Sequence, residues 1–259
     1  MEYLIEYKSF FENVNNYNVD WTEPDEEYFN QELDEFFRTI KYSKNPGGYL
    51  HPANLQTMIQ LIPKTLTKFA ELVLVKHKEL IPTHLRKTKL NTEIDLLEVL
   101  SNIKEDKLTK TNSGAFSKTL MALIPICEEL KKDPECRAEG LKLFKMGLAQ
   151  DWSETKIKQT GHMGKISSFP EYNIKDTNDP AELLKLVASN KKLDGFLYNV
   201  KQFLKPGVKK IPMPFVIKFP SGHDEGKIYS CIGGHKRSSI AIQLGIPLTV
   251  WLIDLTNPL

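Results

Sequence analysis

Pro214-Phe215-Val216-Ile217-Lys218-Phe219, Lys227-Ile228-Tyr229-Ser230-Cys231-Ile232 and Leu248-Thr249-Val250-Trp251-Leu252-Ile253-Asp254-Leu255 are three short runs rich in β-branched and aromatic residues. Each reads as a strand. Between the last two lies Gly233-Gly234-His235-Lys236-Arg237, followed by a short helix from Ser238 to Leu244 that Gly245 can close. The order from Pro214 onward is strand, turn, strand, glycine pair, helix, strand. That order makes this end of the chain mixed α/β.

Working outward, Asp179-Pro180-Ala181-Glu182 is a helix start, with a capping side chain, Pro at the first position and Glu at the third. Leu183, Leu184, Leu186 and Val187 supply its apolar face. Ile166 to Phe169 reads as the first strand of a domain covering 166–259. Residues 151–165 read as a linker, and Gly161-His162-Met163-Gly164 within it as a hinge or an ordinary interdomain loop. Residues 1–150 read as helical. Leu55, Met58, Ile59, Ile62, Leu66, Phe69, Leu72 and Val73 fall at helical spacing, with Pro63 placed to kink or divide the run. Thr92 and Asp95 form a capping box, and Asp133-Pro134 caps a helix carrying Leu141, Phe144 and Leu148. Asn45-Pro46-Gly47-Gly48 is a turn. The expected fold class is α+β: a mostly helical N-terminal part, then a small mixed α/β domain.

Composition sets the bounds. The 259 residues are 41% hydrophobic and 26% charged, which excludes disorder throughout. A chain of this length needs no disulfide or metal staple. Cys127, Cys136 and Cys231 make no pairing or zinc pattern, so reduced thiols are expected. Met1 to Phe10 lacks the apolar core of a signal peptide, and no apolar run reaches membrane length. The expected location is cytoplasmic.

The net charge of +2 hides an asymmetry. Residues 1–40 form an acidic arm of net −9, residues 41–132 a basic body of net +6, and residues 133–259 carry +5. Either the arm packs on the body, or the body meets a polyanion such as DNA or other nucleic acid. Lys64, Lys68, Lys76, Lys78, Arg86, Lys87 and Lys89 would then share one positive face.

One dense chemical motif stands out: Cys231-Ile232-Gly233-Gly234-His235-Lys236-Arg237-Ser238-Ser239. A strand ends, two glycines allow a tight turn and close approach of a ligand, and a helix begins. Free N–H groups and the positive helix end favour a phosphate there. Lys236 and Arg237 add charge, Arg can grip two oxygens, and Ser238 and Ser239 add hydroxyls. The chain has 31 Lys and only 4 Arg, yet it places an Arg in this turn. The plain alternative is a helix start with incidental charge.

The stretch Ile211 to Leu255, with Pro214-Phe215-Val216-Ile217, Tyr229-Ser230-Cys231-Ile232-Gly233-Gly234-His235-Lys236-Arg237 and Leu244-Gly245-Ile246-Pro247, resembles the ParB/sulfiredoxin superfamily. Members carry a strand, a glycine- and arginine-bearing loop, a helix ending in Leu-Gly and a closing strand. The likeness covers about 166–259 and leaves the helical part unassigned. It implies a nucleoside triphosphate, ATP or CTP, held with Mg2+ by Gly233, Gly234, His235, Lys236, Arg237, Ser238 and Ser239. His235, Lys236 and Arg237 are the implied catalytic contacts. The sulfiredoxin cysteine position is His235 here, which argues against sulfinic acid repair. With no helix-turn-helix after the motif, a partition clamp is not expected either.

Other features are weaker. The six histidines show no metal-ligand spacing. Asp224 and Glu225 beside His223 suit a magnesium ion or a polar hairpin tip. Glu171, Asp176 and Asp179 precede the helix that flanks the nucleotide in the family, and each is a candidate general base. Trp21, Trp152 and Trp251 read as packing residues, and Cys231 as a buried apolar one. Two function classes follow. One is a nucleotide-dependent enzyme of phosphoryl transfer or phosphoester cleavage. The other is a non-catalytic nucleic-acid-binding or regulatory module that grips backbone phosphate. The Lys- and Asn-rich, Arg-poor composition suggests an AT-rich genome and fits a bacteriophage source.

Overall fold

The computed structural model describes residues 19–37, 61–76, 118–223 and 227–256. The fold is mixed α+β, and the chain divides into two compact units. One is Glu26–Lys145; the other joins residues up to Asp25 with Met146–Leu259. The turn at 45–48, the capping box at Thr92, the apolar positions Leu55, Met58 and Ile59, and the pair Asp224 and Glu225 lie outside the described residues.

The described part of Glu26–Lys145 is helical: α1 (Glu26–Phe36), α2 (Pro63–Val75), α3 (Lys118–Lys132) and α4 (Pro134–Lys145). Pro63 divides the run: Leu61 is helical, Ile62 breaks the helix, and Pro63 opens α2 at a position where its missing N–H costs nothing. Asp133 caps α4, its Oδ1 accepting the N–H groups of Glu135 and Cys136 at 3.0 Å each. Those bonds, the one from Cys136 foremost, hold the Asp133 carboxyl below its ordinary range. Leu33, Phe69, Val73, Leu130 and Phe144 are fully buried, and Phe36 meets Phe144 edge-on at 5.4 Å. Arg137 ties α4 to α1, donating to Asp34 Oδ1 at 2.7 Å and Asn30 Oδ1 at 2.6 Å.

The second unit begins with a strand that patterning did not show. β1 (Val19–Thr22) lies inside the acidic arm and pairs in parallel with β4 (Lys209–Pro212). Trp21 and Val19 pack on this unit's core, and Trp21 Nε1 donates to the Pro247 carbonyl at 2.8 Å. β2 (Leu148–Trp152) is a second strand where helix was expected. Its first four residues are exposed, as suits an edge strand, and leave little apolar alternation to read. Residues 151–165 are no linker. They finish β2 and then form α5 (Glu154–Lys158) and β3 (Thr160–Gly161). Ile166–Ser168 is one turn of 3-10 helix rather than a strand, its buried Ile166 serving the core from a short loop.

Then follow α6 (Pro180–Ser189), α7 (Asp194–Phe203), β5 (Phe215–His223), β6 (Lys227–Gly233), α8 (His235–Leu244) and β7 (Leu248–Asp254). The main sheet has the order β2-β7-β5-β6-β3. β5 runs parallel to β7 and antiparallel to β6, while β3 runs parallel to β6. β5 is central and its Phe215, Val216 and Ile217 have no exposure, hence the unbroken apolar run in the sequence. Leu183, Val187, Phe196, Val200, Ile240 and Ala241 from α6, α7 and α8 share a core with Val216, Cys231 and Val250 from the sheet. The Asp179 cap forms as expected, its Oδ1 accepting from Ala181 and Glu182. Cys231 is buried, and so are Trp152 and Trp251. Among the described residues no helix is long and apolar enough to cross a membrane.

Candidate anion site

β6 ends at Gly233 and α8 starts at His235, so one residue must reverse the chain. That residue is Gly234, with φ 76° and ψ 17° in the left-handed region. A Cβ there would sit 2.8 Å from both Cα and Cβ of Pro214 and 2.7 Å from Arg237 Nη2. The second glycine of the pair is thus required twice, by conformation and by space. The close approach also shows where Arg237 goes: its guanidinium folds back over the turn that precedes the helix.

That guanidinium is deeply placed. Its Nε and Nη2 atoms are shielded from solvent, and burial lowers the Arg237 pKa to about 10. A downward shift means that burial outweighs whatever negative charge lies nearby. An anion in the turn would reverse it. Asp254 on β7 accepts from Lys218 at 2.8 Å.

His235 is exposed at the first position of α8, and its Nε2 donates to the Cys231 carbonyl at 2.8 Å. A carbonyl can only accept, so this contact places the neutral ring's proton on Nε2 and its basic lone pair on Nδ1. The Cys231 thiol turns inward to the Gly233 carbonyl at 3.4 Å. Lys236 is exposed, and its side chain runs over Gly195 in the first turn of α7, where an added Cβ would meet Nζ at 2.6 Å. Ser238 and Ser239 differ from the expectation. Both are buried, and the Ser238 hydroxyl donates to the His235 carbonyl within its own helix. They hold α8 in the core rather than offering hydroxyls at the turn.

The residue that patterning missed is His162. It follows β3, which parallels β6, so both strands deliver their carboxyl ends to the same side of the sheet. In open α/β sheets that side is where ligands bind. His162 has φ 58°, an uncommon backbone for a residue other than glycine. Its ring meets that of His235 edge-on with centroids 6.1 Å apart. In the sequence the Gly161-His162-Met163-Gly164 loop reads as a hinge or an ordinary interdomain loop. Gly195 gave no signal either, since its role depends on where Lys236 lands.

Of the three candidate bases upstream, Asp176 and Asp179 are committed, while Glu171 is exposed. Asp179 caps α6. Asp176 accepts from Lys165, Ser167 and Gln243, with Lys165 the main cause of its lowered pKa. Among the described residues no group of three or more His, Cys, Asp or Glu side chains could hold a metal ion. In the helical unit, Lys64 pairs with Glu135 at 2.9 Å, Lys76 with Glu129 at 2.9 Å, and Lys68 with Glu71 and Asp133 at 3.7 and 3.8 Å. Lys78, Arg86, Lys87 and Lys89 lie outside the described residues. Comparison of the chain with family models, with curated proteins and with solved structures found no match.

Proposed function

We propose that this chain is a nucleotide-binding enzyme of ParB/sulfiredoxin type that transfers a phosphoryl group or cleaves a phosphoester. The observation that carries the reading is the Gly234 turn with the Arg237 guanidinium folded over it, depressed in pKa by burial. Burial raises the cost of keeping that cation charged, and a phosphate drawn to the turn would offset it. The start of α8 adds N–H groups, and Lys236 adds a second charge at the rim. A phosphate of ATP or CTP fits this set, with Arg237 and Lys236 meeting charge that develops during transfer. Magnesium would arrive on the phosphates, as it does where few carboxylates bind it directly. The resemblance of 166–259 to the superfamily points the same way. The nucleic-acid reading draws less support, since Lys64, Lys68 and Lys76 already face acids of their own unit.

A thermal-shift series with ATP, CTP and their magnesium complexes tests it. A nucleotide at 100 times its dissociation constant should add about 2.7 kcal/mol to the folded state. The shift should shrink in Arg237→Lys, because an ammonium cannot grip two oxygens. No shift with any nucleotide, or a shift indifferent to Arg237→Lys, overturns the proposal.

A further inference from the structure

Gly195 stands in the first turn of α7, and nothing in its own backbone asks for a glycine. It lies within regular helix and is not among the glycines of positive φ. It is exposed, while Phe196, Val200 and Phe203 bury the other face of α7 and fix where that helix lies. In a helix a glycine is the poorer choice, since it loses more conformational freedom on folding than alanine does. What the position lacks is room. An added Cβ would meet Lys236 Nζ at 2.6 Å, Cε at 3.0 Å and Cδ at 3.9 Å. Three consecutive atoms of one side chain are involved, so the Lys236 stem lies along Gly195 rather than touching it in passing.

Lys236 and Arg237 leave the same turn in different directions. Arg237 folds back over Gly234, and Lys236 is laid onto α7. We propose that Gly195 is a positioning residue of this site: its missing side chain makes the bed for the Lys236 stem and so presets the ammonium to meet a phosphate of the nucleotide. The proposal rests on the phosphate reading above. A lysine stem is long and flexible, and an unconfined one must be ordered each time a ligand binds. A stem already laid across α7 is ordered when the protein folds. The methyl of an alanine at 195 would take the place of the ammonium and turn Lys236 out, the flexible stem giving way rather than the helix.

The test is a double-mutant cycle on the full chain with magnesium. It reads equilibrium affinity for ATP or CTP, whichever the parent holds tighter, and melting temperature without nucleotide. Gly195→Ala should weaken binding roughly tenfold or more, the scale of one charge-assisted hydrogen bond. Its melting temperature should hold or rise, as expected of alanine for glycine in a helix. Lys236→Ala should weaken binding at least as much. In the Lys236→Ala background, the change at Gly195 should alter affinity by less than about twofold, because the group it displaces is gone. A general disturbance of α7 would keep its full effect in that background, so the cycle separates positioning from structure. If Gly195→Ala binds the nucleotide like the parent, lowers the melting temperature, or keeps its loss without Lys236, the role of Gly195 is overturned and the anion site stands. The same holds if Lys236→Ala binds like the parent. If the parent binds neither nucleotide, the phosphate reading fails and takes Gly195 with it.

Discussion

At the scale of single residues, Gly234 and Arg237 pull the fold and the site in opposite directions. Gly234→Ala forces a Cβ into Pro214 and into a left-handed backbone at once. The first penalty is typically 1–3 kcal/mol and the second about 1–2 kcal/mol. The α/β unit of Gly234→Ala should therefore lose about 2 kcal/mol or more in denaturant unfolding, and nucleotide binding should fall with it. Arg237→Met is the converse case. It removes a cation that burial disfavours, and Met fills a similar apolar volume. Its melting temperature should hold while the nucleotide-induced shift disappears. A clear drop in melting temperature would mean that Arg237 serves the fold. These residues were legible from the start, because a glycine pair and a rare arginine at a helix entrance carry their chemistry in the sequence. His162 was not, since its place beside His235 arises only from the parallel register of Thr160 with Tyr229 and Gly161 with Ser230.

At the scale of elements, two polar pairs fix the sheet and α8. Lys218 on β5 lies in register with Asp254 on β7 and donates to it at 2.8 Å. Burial works against the Asp254 charge, but the bonds from Lys218 and Thr256 prevail and hold its pKa at about 2. A depressed carboxyl contributes stability above its ordinary range of about 3.9 and loses it as the pH falls toward 2. The pair is only partly shielded, so Asp254→Asn should cost about 0.5 kcal/mol at neutral pH. Unfolding curves of this variant should show a flatter decline between about pH 4 and pH 2 than those of the parent. Gln243 is the larger lever. It is 1% exposed; its Oε1 accepts from the Ser167 N–H, and its Nε2 donates to Asp176 Oδ1 and the Thr177 carbonyl. Gln243→Ala strands these groups and should cost about 1–3 kcal/mol in chemical denaturation. Patterning found β5, β6, β7, α6 and α8 because each has an unbroken apolar run or a cap. It missed β2 and β3 because an exposed edge strand and a two-residue strand bury too little to leave a period.

At the scale of the whole molecule, the helical unit is an insertion. β1 precedes Glu26–Lys145 in sequence, yet it pairs with β4 of the unit that resumes at Met146. Reading the chain as two consecutive domains failed here, because four residues separated from their partner by the entire helical unit leave no local pattern. The insertion predicts how damage divides. Trp21 is part of the acidic arm, but its ring packs on Phe203 at 6.0 Å and its Nε1 holds the Pro247 carbonyl just after α8. Truncating a packed Trp costs about 3–5 kcal/mol, and a half-buried one falls at the low end. Trp21→Ala should thus weaken the α/β unit by about 3 kcal/mol and leave the helices of Glu26–Lys145 intact. Phe69→Ala, which empties a fully buried position in α2, should do the reverse. Hydrogen exchange resolved by peptide reads both variants directly. In Trp21→Ala, protection should fall across β4 to β7 and α8 and persist in α2 and α4. In Phe69→Ala it should fall in α2 to α4, while nucleotide binding at the Gly234 turn survives. If Trp21→Ala instead loosens α1 and α4 and spares β4, the arm belongs to the helices, and the α/β unit begins only at Met146.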